Sequence, residues 1–243
     1  MTRFPSGTAF ELYDSLDSTS LEAKRRAEKS MAEPRWFVAL KQTAGYGRRG
    51  RDWKQRTGDF AGTLLFRPDG PVEHRGQLSF IVALTLAFTL DEFIDAERIQ
   101  LKWPNDVLLG GAKCAGILLE NLDDYLAIGI GVNIVNAPGG LEYKTARMMD
   151  FTDAPPEPAQ LCARLDHHFW TLYREWRATG FPSIKNRWTD RAVGIGTEIT
   201  VRLPNETLSG TFNGIDDNGA LILRSGAGKR IITAGEVFFG PRR

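Results

Sequence analysis

The sequence predicts an α+β fold: a largely antiparallel sheet with its own helices, followed by a small β-barrel. Three observations predict it. Between residues 99 and 134 strand-like runs follow one another through turns of a few residues, and strands joined so closely run antiparallel because a parallel pair needs a long crossover. Residues 77–93 and 159–178 carry helical apolar patterns instead. From Val193 the composition changes to short alternating runs separated by Asn and Gly turns, the pattern of an antiparallel barrel of about fifty residues.

Bulk properties agree. A chain of 243 residues, 42% hydrophobic and 25% charged, fits one substantial domain plus a small one, here 1–192 and 193–243, and excludes disordered and fibrous classes. The net charge of +1 excludes a molecule that binds polyanions with its whole surface. Two cysteines, Cys114 and Cys162, form no disulfide framework and suit a reducing compartment. The N-terminus lacks a signal-peptide core, and the most apolar run, 80–88, is far short of the ~20 residues a spanning helix requires. A cytoplasmic protein without a membrane partner is expected.

Taken in order, Ala9–Tyr13 reads as the first strand, close enough to the start to leave no room for a preceding DNA-binding domain; no DNA partner is expected. Thr19-Ser-Leu-Glu22 has the form of a capping box opening a helix to Ser30, so Ser18, Thr19 and Ser20 have a structural reading as caps for orphan N–H groups. Residues 36–41 and 60–67 are strand-like. Residues 77–93 are apolar on most faces, as in a helix buried against a sheet. Residues 99–103 and 107–109 read as strand segments interrupted by Pro104-Asn105, and Gly110-Gly111 turns the chain into a hairpin with 113–121. Asp123-Asp124 turns it again into 125–134. Residues 136–158 suit a surface loop. Leu161, Leu165, Phe169, Leu172 and Trp176 keep helical spacing, and Gly180 and Pro182 end that helix. A short helix over 183–192 closes the large domain. His167 and His168 are adjacent on a helix, point about 100° apart and are poor partners for one metal ion.

Between the strands at 36–41 and 60–67 lies Gln42-Thr-Ala-Gly-Tyr-Gly-Arg-Arg-Gly-Arg-Asp-Trp53. Three glycines alternate with three arginines, and Asp52 is its one acid. Glycine lets backbone N–H groups approach a ligand, and arginine offers a permanently charged fork matched to phosphate or carboxylate. A solvated basic loop or a nucleic-acid contact would share this composition. Its position between apolar runs favours a mobile loop that folds over an anion, on a rigid scaffold.

These residues resemble the signature loop of the biotin protein ligases. Lys102-Trp-Pro-Asn-Asp106, Lys113-x-Ala-Gly-Ile-Leu-x-Glu120 and Gly129-x-Gly-x-Asn133 follow in the family's order, and the Asp216-Asp-Asn-Gly-Ala-Leu and Thr233-Ala-Gly-Glu-Val237 segments resemble its C-terminal cap. Singly, each has a bland reading as a turn, a solvated lysine or a glycine relieving crowding. The resemblance implies a class II aminoacyl-tRNA synthetase-like catalytic domain with a mostly antiparallel mixed sheet and an SH3-like barrel. It implies ATP-dependent activation of biotin to biotinyl-5'-AMP and transfer to a lysine of a biotin carboxyl carrier protein of acetyl-CoA carboxylase or a related carboxylase.

It further implies a biotin pocket of Ser18, Thr19, Ser20, Gln42, Tyr46, Gly47, Arg48, Lys113, Gly116 and Gly129. Arg48, Arg51, Trp53, Lys102, Asn105 and Asn133 would meet the nucleotide. Lys113, Arg48 and Asp106 would act in catalysis, with Asp106 binding Mg²⁺ directly or through water. Two positions depart from the family pattern: Tyr46 stands where Arg is usual and Ser20 where Asn is usual. Cys114 is expected to be a packed side chain, since the reaction needs no protein nucleophile. Relatives that transfer lipoate or octanoate share the fold but carry a different loop, and a non-catalytic biotin-binding or regulatory protein is the other alternative. The sequence leaves open a homodimer through an exposed sheet edge.

Overall fold

The computed structural model describes residues 2–30, 33–226 and 228–239. An eight-stranded sheet is formed by β1 (Thr2–Arg3), β2 (Ala9–Tyr13), β3 (Arg35–Ala39), β4 (Phe60–Phe66), β5 (Ile99–Lys102), β6 (Asp106–Leu109), β7 (Ala112–Leu122) and β8 (Tyr125–Val132). Its order is β1-β2-β3-β4-β8-β7-β6-β5, and β2 with β3 is the one parallel pair among the described strands. The mixed, mainly antiparallel sheet agrees with expectation. β1 precedes the strand expected to be first and pairs with Phe10 and Ala9.

Alternation along the central strands divides the sheet into two faces. Leu126, Ile128, Ile130 and Val132 of β8 join Trp36, Val38, Leu64 and Phe66 in the main core beneath the helices. That core is covered by α2 (Leu78–Asp91), α3 (Pro158–Thr179) and α4 (Phe181–Arg191). Eleven of the fourteen residues of α2 are buried, which explains why its sequence shows no polar stripe. The opposite face carries one helix, α1 (Thr19–Ala27), packed through Ala23 against Phe37, Leu65, Tyr125 and Ala127. α1 is shorter than expected, and its cap is Ser18 rather than Thr19: the Ser18 hydroxyl accepts from Leu21 N–H at 3.5 Å. Glu22 is not part of a capping box, because its carboxylate pairs with Arg25 and Arg26.

Beyond α4, β9 (Glu198–Arg202), β10 (Thr207–Ile215), β11 (Leu221–Ser225), β12 (Gly228–Ile232) and β13 (Glu236–Phe239) form an antiparallel sheet in the order β12-β11-β10-β9-β13. The sequence pattern did not mark β13 as a strand. Its pairing with β9 brings Glu236 and Phe238 beside the larger sheet, where Lys102 Nζ lies 5.9 Å from the centre of the Phe238 ring, while Val237 between them is buried in the core. The two sheets are locked together where Trp103 Nε1 donates to Gly219 O at 3.0 Å and Gln77 Nε2 to Asp217 O at 3.2 Å. No helix among the described residues is long and apolar enough to cross a membrane.

Candidate active site

On the α1 face, a cavity opens beside the helix. Its floor is made from the smallest side chains of three adjacent strands. Register sets Ala61 opposite Gly131 and Gly131 opposite Gly116; one step along, Thr63 faces Gly129 and Gly129 faces Leu118. A Cβ on Gly131 would fall 2.3 Å from the Trp53 indole, so the flat ring rests directly on backbone there. Trp53 Nε1 is buried without a partner among the described residues, a donor left unsatisfied at a cost that a ligand acceptor would remove.

One end of the floor is closed by the α1 N-terminus. Ser18, Thr19 and Ser20 are buried and tied to their surroundings: Gln42 Oε1 accepts from Thr19 N at 2.8 Å, and Thr63 Oγ1 donates to Thr19 Oγ1 at 2.8 Å. Ser20 Oγ lies 3.3 Å from Thr63 Oγ1. A hydroxyl-rich pocket with a Gln amide suits a compact ligand with both donors and acceptors.

The roof is the basic segment, folded as a small hairpin rather than a free loop. Trp53 N bonds Gly45 O, Gly47 N bonds Arg51 O, and Tyr46 bridges Asp52. Its tip, Arg48–Gly50, is a short 3-10 turn in which Arg49 and Gly50 take φ of 58° and 69°. Arg48 Nη1 donates to Asn105 Oδ1 at 2.8 Å. Arg49 Nη1 and Arg51 Nη2 reach Glu236 Oε1 at 3.2 and 2.5 Å. Burial, with repulsion from Arg49, lowers the Arg48 pKa.

At the other end stand Lys102, Asp106 and Lys113. Regular alternation would place Lys113 and Gly116, three residues apart, on opposite faces of β7. A bulge decides the matter: Val107 pairs with Ala115 but Leu108 with Lys113, so Cys114 is the extra residue and Lys113 is re-aimed beside Gly116. Lys113 Nζ then lies 2.6 Å from Asp106 Oδ1 and 5.3 Å from the centre of the Tyr143 ring. Lys102 Nζ is 3.9 Å from Asp106 Oδ2. Burial lowers the Lys102 pKa, opposed by Asp106 and reinforced by Lys113. Asn105 is fixed to β7, with Nδ2 donating to Ile117 O at 2.7 Å.

Thus Ser18, Thr19, Ser20, Gln42, Tyr46, Gly47, Arg48, Arg51, Trp53, Lys102, Asn105, Asp106, Lys113, Gly116 and Gly129 all border one cavity. Asn133 does not. It is buried behind the wall, where Nδ2 donates to Ala146 O at 3.1 Å and so holds the 144–146 segment that pairs with Lys113. The two oxygens of Asp106 face two ammonium groups, and among the described residues no three His, Cys, Asp or Glu side chains come together to hold an ion, so a Mg²⁺ at Asp106 would need oxygens from the nucleotide or water. Cys114 is buried, and burial raises its pKa, as a packed side chain requires.

Sequence reading missed Tyr143, Glu236 and Phe238 on the walls. It also passed over Asp59. This buried carboxylate accepts from the N–H groups of Ile134, Val135 and Asn136 at 3.1, 3.0 and 2.9 Å, binding the chain just before β4 to the segment that follows β8.

The Biotin/lipoate A/B protein ligase family matches residues 12–133, and the Biotin protein ligase C terminal domain matches residues 194–240. A biotin--[acetyl-CoA-carboxylase] ligase of Paracoccus denitrificans is 41% identical over 235 residues, covering 92% of this chain and 98% of its own. The bifunctional ligase/repressor BirA of Bacillus subtilis is 32% identical over 94% of this chain and 73% of its own. A biotin protein ligase from Aquifex aeolicus, solved with biotin and ATP, has the same fold, with a TM-score of 0.82 and 23% identity over 95% of this chain and 97% of that one.

Proposed function

This chain belongs to the biotin protein ligase family, and on that premise we propose that it activates biotin with ATP and transfers the biotinyl group to a lysine of a carrier domain. One observation carries the reading: Lys102, Lys113 and the arginines of the hairpin converge on a single floor of backbone and small side chains. Two anions that repel in water can be held in contact there.

The biotin ring system lies on the floor beside Gly116 and Gly129, with its polar end toward Ser18, Thr19, Ser20 and Gln42, and the Trp53 indole, seated on Gly131, meets the nucleotide. Its carboxylate is drawn to Lys113. A carboxylate oxygen attacks the α-phosphorus of ATP, the bond to the bridging oxygen breaks, and pyrophosphate leaves. Lys113, Lys102, Arg48 and Arg51 stabilise the charge on the pentavalent phosphorus, the term that preorganised cations supply best. Asp106 holds the two ammonium groups in place. The product, biotinyl-5'-AMP, is a mixed anhydride prone to hydrolysis, and the hairpin roof excludes water. In the second step the amine of the carrier lysine attacks the acyl carbon and AMP departs, so no protein nucleophile is used. Mg²⁺ arrives with the nucleotide, as part of the substrate.

Residues 1–192 form the catalytic unit and 193–243 the SH3-like one. The acceptor is a biotin carboxyl carrier domain of acetyl-CoA carboxylase or a related carboxylase, and the two buried thiols suit a cytoplasmic enzyme. Incubation of such a domain with the protein, ATP, Mg²⁺ and biotin tests the reading by mass spectrometry. One biotin on one lysine is expected; no gain with biotin, or a gain with lipoate or octanoate in its place, would overturn it.

A further inference from the structure

The hairpin roof is fastened at points that differ in chemistry. At its tip Arg48, Arg49 and Arg51 reach Asn105 and Glu236, contacts made by cations for which a phosphate competes. Nearer its base the contact has no cation. Tyr46 Oη lies 3.1 and 3.0 Å from the two carboxylate oxygens of Glu120. Glu120 follows Gly116 and Leu118 at spacing two on β7, so it shares their face and stands just past the end of the floor. Tyr46 is bridged to Asp52 across the hairpin, so this bond fixes both of its strands. Burial, with the nearby Glu120 charge, pushes the Tyr46 pKa up to about 12, which keeps the hydroxyl a donor.

An anionic ligand cannot replace this contact, since a phosphate offers no donor to Glu120 and is repelled by it. We propose that Tyr46 and Glu120 are positioning residues that fasten the hairpin across the cavity while the arginines exchange Asn105 and Glu236 for phosphate oxygens. The inference rests on the biotin-adenylating reading and adds to it the means by which the acyl-adenylate is kept from water. A carboxylate beside an arginine-rich hairpin would ordinarily attract a guanidinium; here a neutral phenol takes the place.

Two readings test it. The first is the rate at which preformed biotinyl-adenylate is lost from the protein. The second, independent of any activity, is tryptic cleavage after Arg48, Arg49 and Arg51. A hydrogen bond to a charged group contributes enough that Tyr46→Phe and Glu120→Ala should each speed both processes about tenfold, the double variant no more than either. Tyr46→Arg, whose guanidinium can pair with Glu120, should retain adenylate as wild type does in the presence of Glu120 and lose it beside Glu120→Ala. Additive effects of the two substitutions, or cleavage and retention equal to wild type in either, would overturn the proposal. Should Tyr46→Phe not fold, Glu120→Ala and Glu120→Gln carry the same readings. A wild-type protein that forms no adenylate would refute the function, while the cleavage measurement would still decide the fastening.

Discussion

Lys113 Nζ stands 2.6 Å from Asp106 Oδ1, and both side chains are more than four-fifths shielded from water, at 18% and 16% exposure. A pair so placed fixes where the ammonium points, because removing one partner leaves the other charge uncompensated.

Lys113→Ala should therefore slow adenylation by on the order of 10²-fold or more, the cost of losing a cation at developing charge. Pyrophosphate release measures it, and near-normal release would take Lys113 out of the chemistry.

Asp106→Asn separates two roles. If Asp106 orients Lys113 and Lys102, the variant loses rate, by roughly tenfold or more, at an unchanged Mg²⁺ requirement. A Mg²⁺ titration in which half-activation moves to much higher metal would instead assign Asp106 to the metal.

Asp59→Ala strands the buried N–H of Ile134 and the half-buried ones of Val135 and Asn136, at a cost of about 2–3 kcal/mol in unfolding free energy. Asp59→Asn keeps one acceptor oxygen and should cost less. Urea unfolding gives both values, and equal losses would contradict the account.

Gly131→Ala drives a methyl group into the Trp53 indole, at 2.3 Å. Overpacking of this kind costs about 1–3 kcal/mol, here felt by the ligand because the ring is displaced from the floor. Calorimetry with ATP should show affinity reduced about tenfold or more; unaltered affinity would mean that Trp53 does not meet the nucleotide.

The Tyr46 hydroxyl gives a pH test. Its pKa is raised from 10.0 to about 12 in the folded protein, by burial first and the Glu120 charge second. A raised pKa contributes stability that is whole below the unfolded value and fades as pH climbs through the folded one. The ratio of adenylate loss in Tyr46→Phe to that in wild type should therefore stay flat from neutral pH to about 10. A ratio that collapses near pH 8 would show that another group makes the fastening.

Much of the fold was legible because antiparallel hairpins are local: Gly110-Gly111 and Asp123-Asp124 mark β6, β7 and β8 to within a residue or two. The site was legible where chemistry and turn signals coincide, as in the arginine hairpin and at Lys113. What escaped is what pairing at a distance creates. Glu236 enters the cavity only because β13 pairs with β9, and Tyr143 because an irregular stretch is pinned behind Asn133. Neither has a periodic pattern around it. Asn133 lies behind the cavity wall for a related reason: spacing alone does not tell a residue at the surface of a site from one just behind it. The α1 cap moved by one residue because Ser18, Thr19 and Ser20 are interchangeable as caps, and backbone geometry made the choice.

Where the floor is bare backbone, heredity has a one-way ratchet. Any single substitution at Gly116, Gly129 or Gly131 adds atoms to the chamber, and none removes them. Variants of this protein can evolve stricter tastes one codon at a time, but a bulkier cargo can be admitted only if whole strands shift.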